Sequence, residues 1–210
     1  MPPPTSDVAF SPAVKAVQQR LGSRQRFIEL EEAGGWPNTV TPDLAAFLAA
    51  RDSFYLASAS AAGQPYIQHR GGPPGFLKTR DERTLAFGDF SGNRQYVSLG
   101  NLSENDRVCL FAMDYANRRR VKIWGRAMVV EDDRALLDAV TVQEYAARPQ
   151  RAIVVRVNAW DVNCTAHIAR RFSEREAAEQ IAALRSRIDA LERELAALRG
   201  GATSPPADTS

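Results

Sequence analysis

The chain has 210 residues, of which 44% are hydrophobic and 25% are charged, as expected for a globular domain with a real core. Its formal net charge is +2, from 27 basic and 25 acidic residues, which gives no global electrostatic case for nucleic-acid binding. No run of the sequence approaches the roughly 18 apolar residues expected of a membrane-spanning helix. We therefore expect neither nucleic acid nor membrane as a partner.

The chain has two cysteines without a C-x-x-C pair, and its two histidines are far apart in the sequence. This spacing is not typical of a zinc site, so we expect no metal. Two isolated cysteines are typical of a reducing compartment. The start of the chain also lacks the basic segment and apolar run of a secretory signal. The expected location is the cytoplasm.

The N-terminal part of the chain is predicted to be helical after a loose, proline-rich start of ten residues. A helix is predicted over residues 11–32, because apolar residues recur there at helical spacing and Ser11 followed by proline is typical of a helix start. Two glycines after residue 33 would end this helix. A second, short helix over residues 44–50 is predicted to begin after Thr41, by the same capping logic.

The middle of the chain consists of short segments rich in strand-forming residues and bounded by turn residues. The predicted strands cover residues 54–60, 65–70, 84–90, 106–114, 119–131 and 152–157. Helices are predicted over residues 93–104 and 132–147. Gly125 lies in the middle of a long strand, which indicates a bulge or a barrel corner. Several short strands joined by tight turns favour a small antiparallel barrel.

Near its C-terminal end the chain carries apolar residues that step by three and four, the pattern of a heptad repeat. These residues are Ile181, Leu184, Ile188, Leu191, Leu195 and Leu198. In a parallel pair of helices, Arg187 would face Glu192 of the second helix and Glu194 would face Arg199, and both contacts are attractive. The repeat is short, so two readings stay open: a two-chain coiled coil, or an amphipathic helix packed on its own domain. Residues 201–210 are expected to be disordered.

The segment FGDFSGNRQ, residues 87–95, ends a predicted strand and leads into a predicted helix. The N–H groups at the start of a helix have no partner within it and attract anions. Arg94 adds a planar guanidinium suited to phosphate oxygens. Ser91, Asn93 and Arg94 are therefore a candidate phosphate cradle. The alternative is that Ser91 or Asn93 caps the helix and no ligand binds.

Two other polar segments are candidates for chemistry. Gln68, His69 and Arg70 follow one another where a half-buried strand should alternate, which indicates side chains directed at a ligand or an exposed strand end. Further along, Lys122 and Trp124 share a strand face with two arginines. That face suits the border of an anionic aromatic ligand, a solvated basic surface or a nucleic-acid patch.

A third candidate follows the last predicted strand, where Cys164 and His167 lie three residues apart. The pair is a conceivable nucleophile and base. No third group that would orient the histidine can be assigned.

Three segments taken in order resemble the pyridoxamine 5'-phosphate oxidase-like family of FMN-binding split barrels. They are SFYLASASAAGQPYIQHRGG, TLAFGDFSGNRQYVSLGNLSENDRVCLFAMD and RRRVKIWGRAMVVED. The resemblance covers about residues 52–160. It implies a mainly β fold with helices: an antiparallel split β-barrel with flanking helices, to which the heptad pattern adds a C-terminal coiled-coil helix. The expected divisions are a helical extension (1–50), the FMN-binding barrel (51–163), the C-terminal helix (164–200) and the tail (201–210).

The resemblance further implies a homodimer with FMN at the subunit interface. The implied cofactor contacts are Gln68, His69, Arg70, Asp89, Ser91, Asn93, Arg94, Gln95, Lys122, Trp124, Cys164 and His167. The chain departs from true pyridoxamine-phosphate oxidases, whose phosphate loop reads Ser-Arg-Lys and whose substrate-binding C-terminal segment is replaced here by the heptad helix. Oxidation of pyridoxamine phosphate is therefore not expected.

The predicted function is FMN binding in a flavin-dependent oxidoreductase that acts on an unidentified small molecule, with NAD(P)H as a candidate reaction partner. No catalytic residue is assigned. The alternatives are a non-enzymatic module that binds or senses flavin or haem, and an assembly protein that works through its coiled coil.

Overall fold

The computed structural model describes residues 2–143, 145–163 and 165–201. The chain divides into two compact units, Met1–Ile168 and Ala169–Ser210. The helices are α1 Pro12–Arg20, α2 Arg24–Glu32, α3 Pro42–Ala49, α4 Val97–Glu104, α5 Arg134–Val140 and, in the second unit, α6 Glu174–Gly201. Among the described residues, no helix is both long and apolar enough to span a bilayer.

Seven strands form one antiparallel sheet in the first unit. They are β1 Ser53–Ala59, β2 Pro65–Gly71, β3 Lys78–Asp81, β4 Thr84–Phe90, β5 Arg107–Asp114, β6 Arg119–Val130 and β7 Pro149–Asn163. Their order in the sheet is β2-β1-β5-β6-β7-β4-β3. The sheet curls until its two sides meet, since Phe54 of β1 lies edge-on against Phe87 of β4 with ring centroids 5.1 Å apart. This curvature forms the interior of the barrel and brings β2 close to β4.

Several details that the sequence predicts are confirmed. Ser11 and Thr41 accept hydrogen bonds from the third residue of the following helical turn, at 3.3 and 3.2 Å, and each precedes a proline at the first helical position. At Gly125 the pairing of β6 with β7 shifts register. A Cβ at this position would lie 2.5 Å from the carbonyl oxygen of Arg156, so the bulge requires glycine.

The N-terminal helical region differs from the prediction in two ways. The helix predicted over residues 11–32 is broken into α1 and α2 because Gly22 adopts a left-handed conformation with φ of 77°. Residues 5–10, part of the start that was expected to be loose, are ordered. Thr5–Val8 form a 3-10 turn, Ser6 is fully buried, and the ring of Phe10 packs on that of Phe27 with centroids 5.0 Å apart.

Four further elements differ from their predicted bounds. Helix α4 begins at Val97 rather than at residue 93, because Arg94 and Tyr96 are left-handed. Helix α5 ends at Val140 rather than at residue 147, because Thr141 is extended. Strand β3 was not predicted, since all its residues are polar, as suits an edge strand. Strand β7 is longer than predicted because it pairs with both β4 and β6 along its length.

Candidate functional site

The clearest cluster of charged side chains lies where the two sides of the curled sheet meet. Arg70 of β2 and Asp89 of β4 form a buried ion pair between Nη1 and Oδ1, and both residues are more than nine-tenths buried. In the sheet, β2 is the first strand and β4 the sixth. The ion pair therefore joins strands that are not neighbours, and it stabilises the closure of the barrel.

Arg151 of β7 completes this cluster. It lies opposite Asp89 in the β4–β7 register, and its Nη1 donates to Asp89 Oδ2 at 2.8 Å. Its Nε donates to Glu131, whose carboxylate is largely exposed, at 2.9 Å. The charge of Asp89 accordingly raises the pKa of the Arg151 guanidinium above its ordinary value. Two guanidinium groups thus share one buried carboxylate, which leaves the buried part of the cluster with a positive charge.

Arg70 retains a hydrogen-bond donor for which the described part of the chain provides no acceptor. Its Nε is buried, and no partner for it is found among the described residues. Buried polar atoms are hydrogen-bonded in the great majority of cases, so an unmet donor on a buried arginine calls for an explanation. A bound anion would supply the missing acceptor.

The loop between β4 and α4 forms the exposed wall beside this cluster. Asn93 Oδ1 accepts from the backbone N–H of Gln95 at 3.2 Å, so Asn93 stabilises the loop and does not cap the helix, which was one of the alternatives that the sequence left open. The N-cap position is taken by Tyr96, which makes no side-chain cap. The first N–H groups of α4 therefore have no capping side chain, and residues 97–99 of this first turn line the cleft.

A single cleft collects the arginine cluster, the loop and the start of α4. Ser98 of α4 donates from Oγ to Gln68 Oε1 of β2 at 2.6 Å, which fixes the amide of Gln68 at the cleft. The residues that line the cleft are Tyr66, Gln68, Arg70, Asp89, Phe90, Ser91, Gly92, Asn93, Arg94, Gln95, Tyr96, Val97, Ser98, Leu99, Gln150 and Arg151. Seven of the twelve residues suggested by the resemblance are in this lining.

Of the other five predicted contacts, the four that the structure describes lie outside this cleft lining. His69 points to the opposite face of β2 from its two neighbours, where it is exposed and packs edge-on against Tyr55 at 5.7 Å. His167 is exposed and has a left-handed backbone with φ of 62°. Cys164 lies outside the described residues.

Lys122 and Trp124 are in the central strand β6. The Trp124 ring stacks on Trp36 at 4.8 Å and 8°, so it helps to hold the N-terminal helices on the barrel. Lys122 lies opposite Asp161 of β7. Burial raises the pKa of Asp161, and the positive charge of Lys122 opposes that rise. Neither Lys122 nor Trp124 lines the cleft around Arg70.

Trp124 instead borders a second hollow on the first unit, together with Cys109 and Arg126. Cys109 is a free cysteine, and burial raises the pKa of its thiol to about 11. The thiol is therefore protonated at neutral pH and is a poor nucleophile.

Sequence reasoning missed Arg151 and Ser98. Arg151 is separated from Asp89 by 62 residues, and only the strand register brings them together. One weak signal was available, because the charged Arg151 directly precedes the apolar stretch AIVV. Ser98 gave no such signal, because a serine inside a helix is ordinary.

The fold and the cleft together define the chain as a split barrel with a cationic pocket between β2, β4, β7 and the start of α4. The family model described as pyridoxamine 5'-phosphate oxidase matches residues 40–164, more than half of the chain. The chain belongs to this family. The predicted fold class, an antiparallel split barrel with flanking helices and a C-terminal helix, is confirmed.

Several solved structures are similar to the chain. HupZ from Group A Streptococcus is 14% identical, with 63% of this chain and 98% of that chain covered and a TM-score of 0.48. An FMN-binding protein from Syntrophomonas wolfei is 10% identical, with 70% and 97% covered and a TM-score of 0.45. A Clostridium acetobutylicum protein related to general stress protein 26 is 12% identical, with 56% and 83% covered and a TM-score of 0.41. No curated protein matches the sequence.

Proposed function

We propose that the chain is a flavoprotein whose barrel, residues 51–163, binds FMN with the phosphate in the cleft around Arg70. The observation that carries this proposal is the buried Nε of Arg70, a donor that has no acceptor among the described residues. It belongs to a cleft that is also lined by the first turn of α4, which has no side-chain cap. Both features attract an anion with several oxygens. Family membership supports the same ligand class.

The residues present suit a phosphate group. Arg70 and Arg151 supply guanidinium donors from the floor of the cleft, and Ser91, Arg94 and Gln95 supply donors from its loop. A carboxylate next to a phosphate would normally repel it. Asp89, however, accepts from both arginines, so its charge is compensated and its role is to position them. Asn93 shapes the loop through its Oδ1 and would offer its amide Nδ2 to the ligand.

The bound flavin would supply hydride or electron transfer, while the protein orients it. We propose a flavin-dependent oxidoreductase of the cytoplasm that acts on a small molecule other than pyridoxamine phosphate, with NAD(P)H as a candidate donor. Gln68, held by Ser98, would be placed to donate from its amide Nε2 to the cofactor. His69 and His167 are both solvent-exposed, and we assign neither as a base.

The positions of Lys122 and Trp124 fit a site shared by two chains. They lie outside the cleft that holds Arg70 in the same chain. We propose a homodimer in which these residues of a second copy approach the flavin, as the family resemblance implies. A cofactor at such an interface would be lost together with the dimer.

The visible spectrum of the purified protein tests the proposal most directly. We expect flavin absorption, release of FMN rather than FAD on denaturation, and one FMN per chain. A Soret band in place of the flavin spectrum would establish the haem-binding alternative. Anaerobic addition of NAD(P)H then tests the reaction, because bleaching of a bound flavin shows direct reduction and an unchanged flavin spectrum removes NAD(P)H as the donor.

A further inference from the structure

Helix α6 carries an apolar stripe that is open to solvent in the single chain. Its six heptad residues are between 46% and 69% exposed: Ile181, Leu184, Ile188, Leu191, Leu195 and Leu198. The helix has 28 residues, a length of about 42 Å, and the stripe follows one side of it. A contiguous exposed apolar surface of this kind marks an interaction site.

We propose that this stripe binds the same stripe of a second copy, as a parallel two-stranded coiled coil over residues 181–198. Isoleucine occupies two of the three a positions and leucine all three d positions, a combination that favours two helices in a parallel coil. The inference does not depend on flavin binding, because it uses no residue of the barrel.

The charges beside the stripe complement one another in this arrangement. Arg187 at a g position faces Glu192 at the following e position of the other copy, and Glu194 faces Arg199 in the same way. Each contact occurs twice by symmetry. A lipid surface is a poorer match, because helices that lie on membranes carry mainly lysine and arginine beside their apolar face. Here acidic and basic residues alternate.

The test uses the full chain with a single Leu184→Cys substitution. In a parallel, in-register coil this d position meets its own copy across the axis, close enough for a disulfide. In an antiparallel pair it would face residue 195 instead. The unsubstituted chain, with its native Cys109 and Cys164, gives the baseline under mild oxidation. Peptide mass spectrometry identifies whether a cross-link joins the two introduced thiols.

Two further substitutions, each added to Leu184→Cys, make a matched pair. Ile188→Lys places a charge at an a position, whereas Ser186→Lys places the same charge on the outer face of the same turn. We expect efficient cross-linking with Ser186→Lys and at least about tenfold slower cross-linking with Ile188→Lys, because the buried lysine disrupts the seam. Circular dichroism checks that α6 stays helical.

Three results would overturn the proposal. One is the absence of a cross-link in the Ser186→Lys chain, and another is an equal rate in the two lysine variants. The third is a cross-link that forms only when Leu184→Cys chains are mixed with Leu195→Cys chains, which would establish an antiparallel pair.

Discussion

Replacement of Arg151 by glutamine separates a binding role of the arginine cluster from a purely structural one. Arg151 donates to Asp89 at 2.8 Å from a side chain that is 15% exposed, at the wall of the cleft. The substitution removes one cation from the proposed phosphate site. Asp89 keeps its bond to Arg70, so no buried carboxylate is left without a partner.

The expected effect on FMN affinity follows from the type of bond that is lost. A hydrogen bond to a charged group contributes about 1.5–3 kcal/mol, which corresponds to about a 10- to 150-fold change in Kd. Glutamine retains one neutral donor, so we expect the lower end of this range, an increase in Kd of about tenfold. The free energy of unfolding of the apoprotein should fall by about 1 kcal/mol, since one of two bonds to Asp89 remains.

The assay is a titration of apoprotein with FMN, followed by the quenching of flavin fluorescence. Arg156→Gln is the matched control, because Arg156 lies on the same strand but is exposed and away from the cleft lining. It removes the same charge and should leave the Kd unchanged. If Arg151→Gln lowers the melting temperature but leaves the Kd equal to that of Arg156→Gln, the cluster is structural and our assignment of the phosphate site is wrong.

Four other perturbations test separate parts of the structure. Arg94→Ala should weaken FMN retention by removing a charge-assisted bond at the loop, and an unchanged Kd would refute a phosphate contact by this residue. Gly125→Ala should destabilise the fold by about 1–3 kcal/mol in denaturant unfolding, because its Cβ would meet a carbonyl oxygen at 2.5 Å. Gly100→Ala, in α4 with nothing near its Cβ, should instead stabilise by about 0.5–1 kcal/mol. Alkylation of Cys109, followed by peptide mass spectrometry, should be slow at pH 8 and accelerate as the pH rises towards the thiol pKa of about 11; fast alkylation at pH 8 would contradict its burial.

The features that the sequence predicts correctly are those that depend on residues close together in the sequence. The caps at Ser11 and Thr41 need only a hydroxyl before a proline at the helix start. The bulge at Gly125 follows from a glycine in the middle of a long strand. The polar run at residues 68–70 marked the strand that carries Arg70, although alternation along that strand directs His69 away from the cleft.

The features that the sequence could not predict depend on strand register. The bond between Arg151 and Asp89 exists because β4 and β7 pair with these residues opposite each other, at a separation of 62 positions. The missed strand β3 has no apolar side chain, because it lies at the edge of the sheet and its pairing partner alone defines it. The start of α4 was placed too early because a serine and an asparagine are common caps, whereas the actual cap position has a left-handed tyrosine.

The arginine cluster also bears on how affinity and fold stability are coupled. Asp89 holds Arg70 and Arg151 in place before any ligand binds, so anion binding restricts these two side chains little further and costs little side-chain entropy. The same carboxylate bridges opposite sides of the sheet, so Asp89→Asn should weaken both folding and FMN binding. It would leave the buried guanidinium of Arg70 without a counter-ion, whereas Arg151 would keep Glu131, and both groups would be held less firmly for the phosphate. At the same FMN concentration, FMN should therefore raise the melting temperature of the Asp89→Asn protein by less than that of the parent, because stabilisation by a ligand grows with the ratio of its concentration to Kd. An equal rise in both proteins would show that the phosphate does not interact with this cluster.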